Sequence, residues 1–325
     1  MQDPQDVPFK NTPPEPAPSG HWERETLEKL AFATLREQQT ARRWRNGLRL
    51  AWLGVFLVLF WLGWSRNAPT AGPTMPHTAM VEIKGEIASE GDASAENVMA
   101  AMRSALEDSG SRALVLLINS PGGSPVQAGL INDEIHRLKK LHNKPVYAVV
   151  EESCASAAYY IAAAADDIYV DKASIVGSIG VLMDGFGFTG LMDKLGVERR
   201  LMTAGENKGF LDPFSPQTDA QRKYAQTMLD QIHQQFIGAV KTGRGERLKE
   251  TPDMFSGLFW TGQQAVDMGL ADGLGSLDSV ARDVVKAPDV IDYTRHENVA
   301  ERLAKRFGAA LGEASVKAMR SSALR

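Results

Sequence analysis

Apolar residues follow two different rules along this chain. From Leu50 to Trp64 (LAWLGVFLVLFWLGW) they run with no charge among them. Beyond residue 80 they fall into short apolar runs separated by amphipathic stretches.

The first rule predicts a membrane anchor. Fifteen residues at about 1.5 Å rise span roughly 22 Å, short of a bilayer core of about 30 Å. Residues 46–49 lengthen the span if Arg49 turns its guanidinium to the interface. Trp44, Trp52, Trp61 and Trp64 stand near its ends, where an aromatic belt belongs. The run is apolar all round, so it does not read as an amphipathic core helix. Arg42, Arg43, Arg45 and Arg49 precede it, and only Arg66 follows before Lys84. The positive-inside rule then puts the N-terminus in the cytoplasm and everything after residue 66 outside. A cleaved signal peptide is the rival. It needs a leading region of about 49 residues and cleavage near Ala68-Pro69-Thr70-Ala71, a poor fit. The expected plan is therefore a Pro-rich tail over 1–20, a cytoplasmic helix over 21–46, an anchor over 47–66 and a linker over 67–79. A globular domain over 80–285 and a helical tail over 286–325 follow.

The second rule predicts an α/β domain. Met80–Ile87 reads as a strand and Ala95–Glu107 as a helix. Ala113–Asn119 (ALVLLIN) is a continuous apolar strand that ends in Ser120-Pro121-Gly122-Gly123. Val126–Leu141 reads as a helix and Pro145–Val150 as a second buried strand. A helix of small residues is expected from about Ala155 to Ala165. Short strands are expected over Asp167–Val170 and Val197–Thr203, a long helix over Asp219–Lys241, and a last amphipathic helix over Val299–Met319. Strands without alternation, joined by crossover helices, imply a parallel sheet covered on both faces.

Composition narrows the function. The net charge is -4, so no basic surface calls for nucleic acid. The one cysteine, Cys154, rules out an intramolecular disulfide, a cysteine-cluster metal site and a CxxC redox pair. There is no HExxH and no Walker loop, so neither a metal nor a cofactor is expected.

Three places could carry chemistry. The Gly pair in Ser120-Pro121-Gly122-Gly123 can turn a backbone N–H toward an anion, though such a turn is also an ordinary strand-to-helix connection. Ser156, in Ser153-Cys154-Ala155-Ser156-Ala157-Ala158-Tyr159-Tyr160, leaves a buried strand and opens an Ala-rich helix. A hydroxyl there feels the positive helix end, and the next N–H can face an oxyanion. Taken by itself, helix capping explains that serine better. Lys208, in Gly205-Glu206-Asn207-Lys208-Gly209, is on its own a solvated loop lysine. To act as a base near neutral pH it must fall well below the usual value of about 10.4, which requires burial.

The order of these pieces resembles peptidase family S49, the signal peptide peptidase A group, within the ClpP/crotonase-like superfamily. SPGG comes first, then Ser156-Ala157-Ala158-Tyr159-Tyr160-Ile161, then Val176-Gly177-Ser178-Ile179-Gly180-Val181, then Gly205-x-x-Lys208. Trp260-Thr261-Gly262-Gln263-Gln264-Ala265 and Gly269-Leu270-Ala271-Asp272-Gly273-Leu274-Gly275 close the series, over about residues 80–285. The resemblance implies a ClpP/crotonase-like parallel-sheet fold and a Ser–Lys dyad, with Ser156 as nucleophile and Lys208 as base. It makes Ser178 the hydroxyl that orients the lysine, and Gly123 and Ala157 the backbone donors of an oxyanion hole. It also implies peptide substrates, signal peptides foremost. A single copy of the catalytic region further implies a homo-oligomer in which Lys208 reaches Ser156 of a neighbouring subunit. The family usually carries Gly-Gly after the serine. Here Ala157-Ala158 means that the helix must begin at once or the hole is altered.

Rival readings have weaker support in the residues. A ClpP-like Ser–His–Asp triad would draw on His233 or His296, neither in a supporting motif. His136 and His142 lie on a Lys/Arg-rich helix that reads as solvated. Cys154 reads as a small buried residue. Gly185-Phe186-Gly187-Phe188-Thr189-Gly190 fits GxGxxG but reads as a loop over a substrate groove, because two Phe crowd it and the βαβ context is poor. A crotonase-like acyl-CoA enzyme would need neither anchor nor Lys208. A degenerate homologue acting as a membrane scaffold rests on Ala157-Ala158 alone.

Overall fold

The computed structural model describes residues 44, 46–61 and 75–296 of a chain that divides into two units, Met1–Ala71 and Gly72–Arg325. In the first unit the described residues form a helix, α1, over 46–61, all of it exposed. Among the described residues no helix is long and apolar enough to cross a membrane. The expected anchor over 47–66 runs past Trp61 and so lies partly outside them. The tail 1–20, nearly all of 21–46 and the helix Val299–Met319 also lie outside.

The second unit is a mixed α/β domain. Its order is β1 (His77–Lys84), α2 (Ala95–Glu107), β2 (Ser111–Ser120), α3 (Pro125–His142), β3 (Val146–Ala155), α4 (Ala157–Ala162), β4 (Asp167–Val170) and β5 (Ile175–Gly177). Then come α5 (Thr189–Leu195), α6 (Asp219–Arg244), β6 (Phe259–Thr261), α7 (Gly262–Asp267), β7 (Gly273–Leu274), α8 (Leu277–Ser279) and β8 (Val290–Asp292). The main sheet order is β6-β5-β3-β2-β1-β8, with β4 and β7 branching from β3. Every pairing is parallel except β5 with β6.

β2 shows why its sequence does not alternate. Leu114, Leu116 and Ile118 join the large core under α2, α3 and α4. Val115 faces the other way, onto Val149 and Val280, with Leu117 packed alongside. Both faces are covered, so both must be apolar. The helices start where their caps allow. Ser94 accepts from the Asn97 N–H ahead of α2, and Ser124 accepts from the Gln127 N–H ahead of α3.

Three expectations need correction. The stretch expected as a helical tail over 286–325 instead contributes β8, Val290–Asp292, which pairs with β1 and so closes the sheet. β1 begins at His77 rather than Met80, because Thr78–Met80 also pair with β8 and are held on both edges. Val197–Thr203 is not a strand. Gly196 ends α5 in a left-handed turn, and the segment then crosses exposed surface with no strand beside it. An extended segment without a neighbour has no ladder to join.

β3 is a forked strand. Tyr147–Val150 pair with β4, whereas Ser153–Ala155 pair with β5. The fork delivers the end of β3, and the residue after it, to the edge formed by β5.

Candidate active site

Ser156 is the hinge between β3 and α4. Its φ is 53 and ψ -122, outside the regions a side chain favours. Its hydroxyl makes no capping bond, so the capping role that the residues alone favoured is not taken. Tertiary bonds impose this turn. Ala155 is paired with Gly177, the Ser156 N–H donates to the Gly177 carbonyl at 2.8 Å, and the Tyr160 N–H already accepts helical geometry by donating to the Ser156 carbonyl at 3.0 Å. The chain has one residue in which to leave the sheet and enter a helix. A strained non-glycine conformation costs about 1–3 kcal/mol and persists only when its surroundings fix it.

The glycine turn after β2 packs against this hinge. A Cβ on Gly122 would stand 2.7 Å from the Ser156 Cβ and 3.1 Å from the Ala157 nitrogen. A Cβ on Gly123 would stand 2.2 Å from the Ile87 carbonyl oxygen. Ile87 clamps the turn from both sides: its N–H donates to the Gly122 carbonyl, and its carbonyl accepts from the Ser124 N–H, both at 2.8 Å. Ser153 Oγ ties β3 to the Ser120 carbonyl at 3.0 Å. The N–H groups of Gly123 and Ala157 have no acceptor among the described residues. The structure therefore brings Ser156, Ala157 and the Gly122-Gly123 turn together.

Ala157-Ala158 raises no conformational difficulty. The helix begins at Ala157, and the positive φ falls on Ser156. Both alanines are buried.

Ser178 adjoins the same corner. It too has a positive φ, 52, and its N–H donates to the Leu258 carbonyl at 2.8 Å. The Trp260 indole lies over Gly177, with its Nε1–H buried and without a partner among the described residues. Two strained serines thus flank the Ser156–Gly177 bond.

Lys208 is not brought to Ser156 within one chain. It is exposed in the turn that follows Gly205, and its ammonium makes no hydrogen bond or ion pair among the described residues. Ser156 and Lys208 share no hydrogen bond among the described residues.

Several rival residues are held in other roles, while His296 lies beside Asp92, its Nδ1 3.3 Å from the carboxylate. His233 Nε2 lies 3.0 Å from the Ile179 carbonyl, which can only accept, so that nitrogen carries a hydrogen and is no base. His136 is half-buried rather than solvated, and burial lowers its pKa. Cys154 is fully buried, and burial pushes its thiol up, away from the reactive thiolate. None of Gly185, Gly187 and Gly190 has a positive φ or a close neighbour, and Phe186 is exposed, so nothing there cradles a phosphate.

Of two residues that hold the site, Arg244 went unnoticed in the sequence and His233 was weighed there only as a catalytic rival. Arg244 is buried at the end of α6 and forms a two-pronged bond with Asp272, both prongs at 2.8 Å, while its Nε donates to the Gly269 carbonyl at 2.9 Å. Burial works to raise the Asp272 pKa, but the Arg244 bonds and charge outweigh it and hold the carboxyl below the usual range. The Tyr159 hydroxyl of α4 donates to the Leu270 carbonyl at 2.7 Å. The GLADGLG stretch is thus the clasp that seats α6 and α4. His233 is the other. It shares the inward face of α6 with Phe236, Val240 and Arg244, a spacing of three to four residues that was there to be read.

Comparison with known proteins gives a family. The profile described as Peptidase family S49 matches residues 138–290, a range that contains Ser156, Ser178 and Lys208 and excludes Gly123. A Brucella abortus protein named Na(+)/H(+) antiporter NhaA is 47% identical over 181 residues, covering 56% of this chain and 25% of that protein. A Synechocystis protein with a provisional protease name is 31% identical over 210 residues, covering 64% of this chain and 73% of its own length. An Enterococcus faecium protein provisionally named signal peptide peptidase SppA is 29% identical over 199 residues, covering 61% of this chain and 58% of its own length. The match thus spans only a quarter of the antiporter and under two thirds of the Enterococcus relative.

Proposed function

The chain belongs to peptidase family S49, and on that premise we propose that it is a serine endopeptidase with Ser156 as nucleophile and Lys208 as general base. The observation that carries the reading is the strained Ser156 hinge beside two unpartnered N–H groups. A hydroxyl presented on a sharp strand-to-helix turn, next to preorganised donors, suits acyl transfer.

In this reading neutral Lys208 takes the Ser156 hydroxyl proton as Oγ bonds to the scissile carbonyl carbon. The resulting oxyanion rests on the Gly123 and Ala157 N–H groups. The lysine ammonium gives its proton to the leaving amine nitrogen as the peptide bond breaks. Water, deprotonated by Lys208, then attacks the acyl-enzyme, and Ser156 leaves with the proton returned to it. The Ser178 hydroxyl orients the lysine. An exposed lysine is a poor base, so Lys208 must be covered, and a second copy of the chain is the cover that the family resemblance supplies. The parallel sheet and crossover helices agree with a ClpP/crotonase-like arrangement. Residues 47–66 anchor the chain in the cytoplasmic membrane, with the N-terminus inside and the peptidase domain outside. The substrates are peptides near the membrane, residual signal peptides first among them, in keeping with the name of the Enterococcus relative. The scaffold alternative loses its motive now that α4 begins at Ala157 without strain.

The test is digestion of an apolar signal peptide by the full chain, Ser156→Ala and Lys208→Ala, with products read by mass spectrometry. Cleavage by wild type alone supports the dyad. Full activity in Lys208→Ala overturns the base, and a silent wild type overturns the peptidase. The pH optimum is expected at neutral to alkaline values, and a peak near pH 5 would contradict a lysine base.

A further inference from the structure

The fork in β3 leaves a gap that the chemistry above does not use. Glu151 and Glu152 pair with neither β4 nor β5, and a groove of about 1000 Å³ opens there. Its floor is apolar, with Val149, Val170 and Leu277 among its residues. Its rim carries Glu151, Glu152, Asp171 and Asp278 against a single cation, Lys172.

These carboxylates are not closely paired, although the Arg282 charge is felt at Asp278. Glu134, Asp166 and Asp272 each face an arginine or lysine, yet none of the four rim carboxylates has an ion pair among the described residues. Among the described residues the Asp171 carboxylate accepts only from the Ala173 N–H at 2.8 Å, and the Glu152 carboxylate only from the Asn119 amide. Like charges around a concave, apolar floor concentrate negative potential. A ligand suited to both has cationic side chains beside apolar ones.

We propose that this groove is an exosite for the basic flank of a peptide whose apolar part is cut at Ser156. The proposal rests on the peptidase reading and adds a charge requirement to it. An export signal has this composition, a short basic region followed by an apolar run. The position suits it also. Glu152 precedes Ser156 by four residues on β3, and Ile175, on the groove wall, precedes Ser178 by three on β5. At about 3.3 Å per residue the groove lies roughly 10–13 Å from the serines. A cationic residue three or four extended positions from the cleaved bond would reach it.

The experiment uses the full chain carrying Ser156→Ala, which holds peptide uncut. Two fluorescent peptides share one apolar run, one with a Lys-Lys flank and one with a Gln-Gln flank. Anisotropy should show the Lys-Lys peptide binding about tenfold tighter at low salt, the sum of two exposed ion pairs, with the preference fading at high salt. Adding Glu151→Gln and Asp278→Asn should erase the preference without moving the affinity of the Gln-Gln peptide. Both sites are exposed and unbonded through their side chains, so the fold should hold, and Glu151→Lys should turn the preference toward a Glu-Glu flank. Equal binding of the two peptides, or a preference that survives the groove substitutions, overturns the exosite. A groove variant that changes sedimentation instead of peptide affinity would seat a second copy of the chain there and also overturn it. Binding does not depend on cleavage, so the two readings fail separately. A wild type that cuts without charge preference removes only the exosite, and a charge preference without cutting removes only the peptidase.

Discussion

Ser156 stands on a shelf whose backbone neighbours are all fixed, whereas Lys208 stands in a stretch, residues 181–235, in which no residue is fully buried. On the serine side Gly122 and Gly177 press directly on the hinge, and β3, β5 and α4 meet within one residue. On the lysine side Leu182, Phe186 and Met202 are 82%, 80% and 94% exposed. Local order there comes from small contacts, such as Phe188 on Phe214 and the Arg199–Asp212 pair at 3.0 Å. The core of one chain builds the strained serine hinge. A depressed lysine pKa needs burial, and this chain alone does not bury Lys208. An apolar surface of this kind calls for a cover.

The largest test of the contrast mixes the two halves. Ser156→Ala and Lys208→Ala are each expected to lose about a thousandfold or more in kcat/KM. Co-assembled, the two dead variants should regain measurable peptide cleavage, because an intact serine then meets an intact lysine across copies. Absence of any regain would confine the dyad to one chain.

Next comes the clasp. Asp272→Asn leaves the Arg244 guanidinium buried without its counter-charge, which costs about 3–5 kcal/mol. For a domain of this size that lowers Tm by roughly 10 °C by calorimetry. The pH dependence follows from the depressed carboxyl. Its stabilisation is full above the unfolded value of about 3.9 and is lost as pH falls through the lower folded value. The Tm gap between wild type and variant should therefore narrow below about pH 4. A constant gap would mean that the carboxylate charge is not what holds Arg244.

Gly122→Ala sharpens the serine side. The added methyl meets the Ser156 Cβ at 2.7 Å, so the hinge must shift. An offset of about 1 Å costs about a hundredfold in activity. Steady-state kinetics should show kcat falling, with stability reduced by only about 1–3 kcal/mol. Ser156→Gly goes the other way for stability. It relieves the positive φ, and the relief outweighs the added chain entropy by about 1 kcal/mol, raising Tm by about 2–4 °C while activity is lost. An unchanged Tm would mean that the hinge carries no strain.

The smallest effect is expected on the lysine side. Leu182→Ser with Met202→Ser should leave the domain's Tm within about 1–2 °C, because exposed side chains contribute little to folding. Sedimentation should nonetheless show weaker self-association, and unchanged sedimentation would remove this surface as the cover.

Much of the fold was legible because burial leaves a mark on residue type. β2 read as a strand covered on both faces, and Ala95–Glu107 read as a helix with both ends where they stand. Val197–Thr203 misled because residue type alone does not supply a neighbouring strand. At the site, motif order pointed to Ser156, but the residues themselves favoured a helix cap. Arg244 was passed over because a lone arginine near a helix end looks solvated until its partner, Asp272, is brought to it from another element.

The sequence by itself determined the long buried elements such as β2, α2, α3 and α6, the need for glycine after β2, and the order of motifs that marks the family. These depend on patterning, on local φ/ψ limits and on residue types that neighbours along the chain can report. Only the tertiary structure decided that Ser156 turns rather than caps, that Ala157-Ala158 begins a helix, that Asp272 finds Arg244, and that Lys208 stays uncovered. Each is set by a group distant in sequence, and a backbone torsion or a burial imposed from a distance leaves no mark on the residue that bears it.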